Sequence, residues 1–509
     1  MSRVAELDER ASGILLHPTS LPGPHGFGDL GAEARAFADY LAAAGQTWWQ
    51  MLPVVPPGFS GSPYDSPSSF AGSPWLVSLS DLVEDGLLGE ADVEATPAGA
   101  SFGEVQRFRE ERLRKAFARA RDRSSSADRD ELTELRVSNP WLADWALFSA
   151  LKAKHPGSWT EWPEALRRHT PEALATARRE LEEETLYHEH VQLWFRRQWR
   201  RLREHCRARS VALLGDVPMF VAHDSADVWS HPEAYFLDDT GRSTVVAGVP
   251  PDPFSATGQL WGNPIYRWDY MQKRGFDWWL ERLGVTLERF DAVRLDHFIA
   301  FRRYWEIPAG SSDARVGRFV QVPGEALFER AREVFGGLPF VAEDLGIVTP
   351  EVHALRDRFQ LPGMRVLQFA FGSDEANDYR PHRFVRNTAV YTGTHDNDTT
   401  VGWYASASDA ERLRARSYLG ASGEQIHWDM LRAAAASVAN LAVFPIQDAL
   451  GLGSEARMNT PATVEGNWAY RVRAEQLGPD LADRLRALSG LYERTPRWNE
   501  GNRHAFVRA

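Results

Sequence analysis

Three observations predict an α/β protein built as a (β/α)8 TIM barrel. Eight short apolar runs recur along the chain, most are separated by enough residues for a crossover helix, and nearly all end in polar or charged side chains. Parallel strands need long crossovers, and a barrel carries its chemistry at the C-terminal ends of its strands, so the three features belong together. The alternative is a doubly wound open sheet. That fold gathers its ligand at one switch point, often behind a glycine-rich turn, whereas no dinucleotide fingerprint follows any run here and the polar ends are spread over nearly all of them.

The first two runs are Ile14-Leu-Leu-His17 and Trp48-Trp-Gln-Met-Leu52. Before the third comes a stretch, about 80–209, that is rich in Arg, Glu and Ala, contains the polar Arg121-Asp-Arg-Ser-Ser-Ser-Ala-Asp-Arg129 and ends in a long helical pattern. Tyr187, Val191, Trp194, Phe195, Trp199 and Leu202 recur there at three- and four-residue steps, the spacing of a core-facing helical stripe. The third run is Val211-Ala-Leu-Leu-Gly-Asp216, and the fourth is Asp291-Ala-Val-Arg-Leu-Asp296. A helix is expected around 324–335, before the fifth run, Phe340-Val-Ala-Glu343. Met364-Arg-Val-Leu-Gln-Phe-Ala-Phe371, Ala389-Val-Tyr-Thr-Gly-Thr-His395 and Leu441-Ala-Val-Phe-Pro-Ile-Gln-Asp448 complete the set. A chain of 509 residues exceeds a bare barrel, so roughly half of it must lie in insertions or extended loops. The expectation is a single catalytic barrel domain over 1–509, interrupted by a mainly helical insertion subdomain at about 80–209 and a substrate-loop region at about 217–290.

The formal net charge of −12 argues against nucleic acid and anionic membrane surfaces, both of which call for a basic patch. Arg196-Arg-Gln-Trp-Arg-Arg201 is basic, but it lies in the helical pattern with acids just upstream. Cys206 is the only cysteine, which excludes an internal disulfide, and Met1 to Arg10 is charged rather than apolar. With no apolar stretch long enough to span a bilayer, the expected location is cytoplasmic, and no signature of a particular oligomeric state appears.

Chemistry concentrates at the later run ends. Side chains alternate along a strand, so Arg294 and Asp296 share a face, and a guanidinium beside a carboxylate favours the ionised form that a carboxylate nucleophile needs. A structural ion pair at a strand end reads the same residues equally well. Glu343 and Asp344 end the next run, so Asp296 and Glu343 fit the ends of adjacent parallel strands facing one cleft. His395 and Asp396 open the polar cluster after the seventh run. Asp396 and Asp398 could offer oxygens to a cation, although the closely spaced acids and in-register Gly of a calcium loop are missing.

These residues carry a family resemblance. Arg294-x-Asp296-His297, Ala342-Glu343-Asp344-Leu-Gly346 and Gly393-Thr-His395-Asp396-Asn397-Asp398 resemble the three catalytic segments of the 4-α-glucanotransferases known as amylomaltases or disproportionating enzymes, relatives of the α-amylases. The resemblance runs nearly end to end. It includes Gly13-Ile-Leu-Leu-His-Pro-Thr-Ser-Leu-Pro22, Gly61-Ser-Pro-Tyr-Asp-Ser66, Gly215-Asp-Val-Pro-Met-Phe220, Gly248-Val-Pro-Pro-Asp-Pro-Phe-Ser255, Gly258-Gln-Leu-Trp-Gly-Asn263, Arg457-Met-Asn-Thr-Pro461 and Gly466-Asn-Trp468.

The resemblance implies transfer of α-1,4-glucan segments, with maltooligosaccharides as partners, by a retaining double displacement. In that mechanism Asp296 is the nucleophile and Glu343 the acid/base, and Asp396 with His395 holds the distorted ring; the two reacting carboxyls should lie about 5–5.5 Å apart. It further implies that Ser62, Tyr64, Asp216, Gln259, Trp261, Arg294, His297 and Asn467 bind substrate around that centre. Family members often carry a Tyr where this chain has Pro253, in a segment from Gly248 to Asn263 that reads as a flap anchored at its two ends. A retaining hydrolase of the amylase type shares the same three acids, and a non-catalytic glucan-binding protein would have no need of them. No cofactor is expected. The lysines are Lys115, Lys152, Lys154 and Lys273, three in the insertion and one in a polar turn, so none suits the pyridoxal phosphate of a glucan phosphorylase, and no zinc spacing occurs.

Overall fold

The computed structural model describes residues 4–495, apart from 59, 95–101, 124–125, 252–254 and 374–375. Its strands are β1 (Ala11–Leu15), β2 (Trp48–Gln50), β3 (Ala212–Val217), β4 (Val245–Val249), β5 (Gln259–Pro264), β6 (Ala292–Leu295), β7 (Arg303–Pro308), β8 (Arg318–Gln321), β9 (Phe340–Ala342), β10 (Gly363–Val366), β11 (Thr388–Tyr391) and β12 (Leu441–Pro445). Eight of them close into a parallel barrel in the order β1-β12-β11-β10-β9-β6-β3-β2. Each corresponds to one of the eight apolar runs, so the (β/α)8 expectation holds. Two runs turn earlier than expected. Beyond Val366 the chain enters the 3-10 turn Leu367–Ala370, and beyond Pro445, which has no N–H for the ladder, it enters the short helix Ile446–Leu450.

Inward-facing side chains alternate along these strands and form their own buried column, including Trp48, Leu214, Ala292, Val341, Met364, Tyr391 and Val443. Leu214 and Ala292 share their parity with Asp216 and Arg294 two residues on, and Val341 shares its parity with Glu343, so the polar groups continue inward-facing rows at the mouth of the barrel.

Between β2 and β3 the chain is helical, and its longest helix, Glu182–Ala208, buries the whole stripe from Tyr187 to Leu202 that the periodicity identifies. Two glutamines on that helix grip the backbone leading to the barrel mouth. The Gln192 amide exchanges hydrogen bonds with the N–H (2.7 Å) and C=O (2.9 Å) of Gly72, and Gln198 does the same with Ser78 at 2.6 and 3.0 Å. At Gly72 a Cβ would come within 2.2 Å of the Phe195 ring, so only glycine allows this approach. The helix Gly324–Phe335 falls where it is expected.

The four remaining strands form an antiparallel sheet, β5-β4-β7-β8, beside the mouth. The segment Gly248 to Asn263 begins in β4 and ends in β5, so its two ends are held as the paired arms of a hairpin. Its expected tip, Pro253, lies outside the described residues.

At the opposite end, β1 pairs with β12, Ala11 facing Leu441, and two arginines lock this seam. Arg494 is fully buried and donates to the carbonyls of Ala11 (2.8 Å), Ala435 (2.8 Å) and Asn440 (3.0 Å). Arg10 donates to Ala435 and Ser437 at 2.8 and 2.7 Å. Among the described residues, no helix is long and apolar enough to cross a membrane.

Candidate active site

β3 and β6 are adjacent, and their register puts Asp216 opposite Arg294. The Arg294 guanidinium donates from Nη1 to both oxygens of Asp216, at 2.9 and 2.7 Å, and from Nη2 it pairs with Asp296 Oδ1 at 2.9 Å. The Tyr64 hydroxyl donates to Asp216 Oδ2 at 3.0 Å. The two carboxylates that share Arg294 differ in one respect. The side chain of Asp216 has no exposed surface, while that of Asp296 is 28% exposed, so only Asp296 can meet a ligand. Burial pushes the Asp216 carboxyl upward and the Arg294 guanidinium pulls it back down. For Arg294 itself burial opposes the charge, but Asp216 and Asp296 outweigh it and hold the group firmly cationic.

Glu343 leaves β9 next to β6, tied by its N–H to the carbonyl of Leu295 at 3.1 Å. Its Oε2 accepts the backbone N–H of His297 at 2.7 Å. His297 can aim that N–H because it sits in the left-handed region, φ 48°, a conformation that costs a non-glycine residue about 1–2 kcal/mol. Burial, reinforced by the nearby charge of Asp296, pushes the Glu343 carboxyl up to about 8, against the pull of Arg294 and the His297 N–H. The site thus holds one open carboxylate on an arginine and one buried carboxyl biased toward its protonated form. An exposed carboxylate beside a buried, proton-holding carboxyl is an arrangement suited to nucleophile and acid/base work.

The imidazoles are neutral in character. Burial pushes His297 down to about 4 and lowers His395 as well. His395 stacks on Tyr64 with ring centroids 5.0 Å apart and 9° between planes, and its Nε2 lies 3.3 Å from Asp396 Oδ1. Asp396 is fixed from below, where Asn459 Nδ2 donates to its Oδ1 at 2.7 Å and Arg457 donates to its backbone carbonyl at 2.7 Å. Its carboxylate remains 44% exposed. A shallow recess opens beside His395, bordered by His17, Asn397, Asp398, Gln447 and Arg457.

Trp261, on the exposed edge strand β5, meets His297 edge-on at 4.8 Å, and its Nε1 donates to Gln259 Oε1 at 3.0 Å. Arg294, Asp296, His297, Glu343, Tyr64, His395, Asp396, Gln259 and Trp261 therefore surround one space. Three candidates sit differently from the way the family resemblance implies. Asp216 lies beneath the site, its side chain without exposed surface, and its oxygens accept from Arg294 and Tyr64. The Asn467 amide is occupied within its own loop, accepting from Thr460 N (2.8 Å) and donating to Thr463 O (2.9 Å). Ser62 Oγ accepts the Tyr64 N–H at 3.2 Å, an ST turn that orients the tyrosine. Asn459 and Trp468 escape the sequence reading. Trp468 lies 6.0 Å from the Tyr64 ring and 6.1 Å from His395. Both fall in segments that carry the family resemblance, but no periodicity or charge pattern points to either. Among the described residues no cluster of His, Cys, Asp and Glu is arranged to hold a metal ion.

Residues 16–476 match the model of a glycoside hydrolase family described as 4-alpha-glucanotransferase. A 4-alpha-glucanotransferase of Thermus thermophilus is 48% identical over 95% of this chain and 99% of its own length, and one of Synechocystis sp. is 46% identical over 96% and 99%. Among solved structures, an amylomaltase of Streptococcus agalactiae in complex with acarbose is 35% identical, superimposes with a TM-score of 0.92, and is covered to 100%, against 96% of this chain.

Proposed function

The chain belongs to the 4-alpha-glucanotransferase family, and from that premise we propose how its residues divide the reaction. The enzyme moves α-1,4-glucan segments from a donor to the 4-hydroxyl of glucose or another glucan. Asp296 attacks the anomeric carbon while Glu343, protonated, gives its proton to the departing glycosidic oxygen, and the shortened glucan leaves. The retained segment is then an ester on Asp296. An acceptor enters, Glu343 takes the proton from its 4-hydroxyl, the new glycosidic bond forms and the ester bond breaks, which returns Asp296 as a carboxylate. Two inversions leave the configuration α.

The observation that carries this reading is the division between Arg294's two partners, because it leaves one carboxylate open to a ligand and fixes it from behind. Asp396 and the neutral His395 would bind ring hydroxyls, and Tyr64 and Trp261 would offer flat faces to the C–H surface of glucose. No cofactor enters any step. We read residues 1–509 as one catalytic barrel domain, with the helical stretch at about 80–209 as its insertion and the region at about 217–290 bordering the substrate. Incubation with maltotriose tests the activity. Glucose together with longer maltooligosaccharides is expected; hydrolysis products without elongation would mark an amylase-type hydrolase, and no turnover would mark a binding protein.

A further inference from the structure

The strand β5, which carries Gln259 and Trp261 to the site, is an edge strand: β4 sets its register on one side, with Val249 opposite Gln259, and the residues just before it meet a second segment. From Pro308 to Phe319 the chain makes a surface excursion between β7 and β8 in which one residue alone, Ala314, is buried, with no exposed surface at all. Its backbone is engaged in both directions. The Ala314 N–H donates to Thr257 O at 3.1 Å, and the Ala314 carbonyl accepts the Trp305 Nε1–H at 2.9 Å. On either side, Asp313 accepts the N–H (2.9 Å) and the Nε–H (2.9 Å) of Arg315, which closes the turn around Ala314.

The contact is close-fitting. Gly258, φ +67°, is so near that a Cβ there would come within 2.9 Å of Ala314 Cβ, and one on Gly317 would come within 2.6 Å of the Trp305 ring. Val246, Ile307 and Ala314, with Trp305 against them, make a small core of their own, separate from the barrel. Gly258 directly precedes β5, and Trp261 follows three residues later, against His297 at 4.8 Å. His297 in turn holds Glu343 through its N–H.

We propose that Trp305 and the Asp313-Ala314-Arg315 turn are positioning residues for the acceptor glucan: they clip the start of β5 and so hold Gln259 and Trp261 beside His297. The inference rests on the glucanotransferase reading and adds residues that touch neither substrate nor the reacting carboxyls. On this reading the sheet side holds whichever sugar lies beyond the scissile bond, the leaving end of a glucan donor in the first half-reaction and the acceptor in the second. A fluoride donor has no such sugar, so its cleavage reports the barrel-mouth groups apart from the clip.

The test uses Trp305→Phe, which keeps a ring against Phe319 (4.9 Å away in the parent) and removes the N–H. With α-maltosyl fluoride as donor, the fluoride burst that reports glycosyl-enzyme formation should keep its rate constant. The KM for glucose as acceptor should rise by about two- to fivefold, the upper figure being the full transmission of one lost neutral hydrogen bond. Asp313→Ala, a surface substitution that opens the turn, should move the acceptor KM in the same direction. A burst that slows in step with acceptor use would mean a merely structural role, and an unchanged acceptor KM in both variants would also overturn the clip. Elongation of maltotriose by the unsubstituted enzyme is the control. Its absence overturns the glucanotransferase reading and the clip together, whereas normal elongation with unmoved variants overturns the clip alone.

Discussion

Arg294 in the barrel and Trp261 on the antiparallel sheet border the same space, yet they are held in opposite ways. Arg294 is buried and bonded to two carboxylates, one of which is itself held by Tyr64. Trp261 is 38% exposed on an edge strand, and its indole N–H is satisfied by a neighbour two residues away. The difference follows from what each group handles. A charge taken out of water must be paired or it becomes very costly, whereas an aromatic face that covers a sugar works while half in solvent. The barrel side is therefore suited to bond making, and the sheet side to deciding which molecule arrives. Substitutions on the first should damage chemical steps and stability, and those on the second should damage affinity.

The sharpest way to break this division is Asp296→Asn, which should lower kcat at least about 10⁴-fold while the protein stays folded, since the amide keeps the shape but cannot form the ester. Glu343→Gln should lose comparable activity on maltooligosaccharides, yet with maltosyl fluoride, whose leaving group needs no proton, it should accumulate a sugar covalently on Asp296. Peptide mass spectrometry would locate the sugar, and attachment to another residue would reassign the nucleophile.

Asp216→Ala probes the buried pair without touching the open carboxylate. Arg294 then keeps only the partly exposed Asp296, and losing its buried counter-ion should destabilise the fold by about 2–3 kcal/mol in urea titration, the range for a hydrogen bond to a charged group. A loss below ~1 kcal/mol would show that solvent or relaxation replaces Asp216.

The Glu343 carboxyl gives a pH-dependent version of the same contrast. Its value rises from 4.5 to about 8 on folding, so between those limits the folded state holds a proton that the unfolded state has released. The contribution to stability is complete below the lower value and is lost as pH climbs toward the upper one. Glu343→Gln should therefore gain stability relative to its parent between pH 5 and pH 8, and a constant difference in Tm across that range would contradict the raised value. Trp261→Ala should leave the chemical step nearly intact, raising acceptor KM about tenfold with donor cleavage within a few-fold of the parent. A large loss in the fluoride burst would move Trp261 to the chemical side of the boundary.

The barrel was legible because its strands are buried on both faces, so that Leu213-Leu214 or Val341-Ala342 read as apolar runs broken by an acid at the mouth. The shared face of Arg294 and Asp296 followed from strand parity alone. The antiparallel sheet was not legible, since Gln259, Leu260, Trp261 and Gly262 are all exposed and show no alternation of apolar and polar residues. That sheet exists through pairing with β7, which is 303 − 264 = 39 residues past the end of β5. Nor could the sequence show that Asp216 stands opposite Arg294, because that depends on the register of β3 against β6, 78 residues apart. The register places Asp216 beneath Arg294, where its oxygens accept from that guanidinium and from Tyr64.

The arginine lock on the seam has a consequence for how the molecule assembles. Arg494 reaches Ala11 across 483 positions of sequence, about as long a closure as this chain can make. Loop-closure entropy makes such contacts late events, and during synthesis the Arg494 side chain becomes available only after all eight barrel strands have left the ribosome. Until β12 has emerged, β1 is an open parallel edge, and until Arg494 arrives the β1–β12 seam lacks the side chain that ties it. The buried guanidinium that ties this seam from the far end serves as the last rivet of the ring, and a chain stopped just short of it would be expected to aggregate through the strand edges of that seam rather than merely to lose activity.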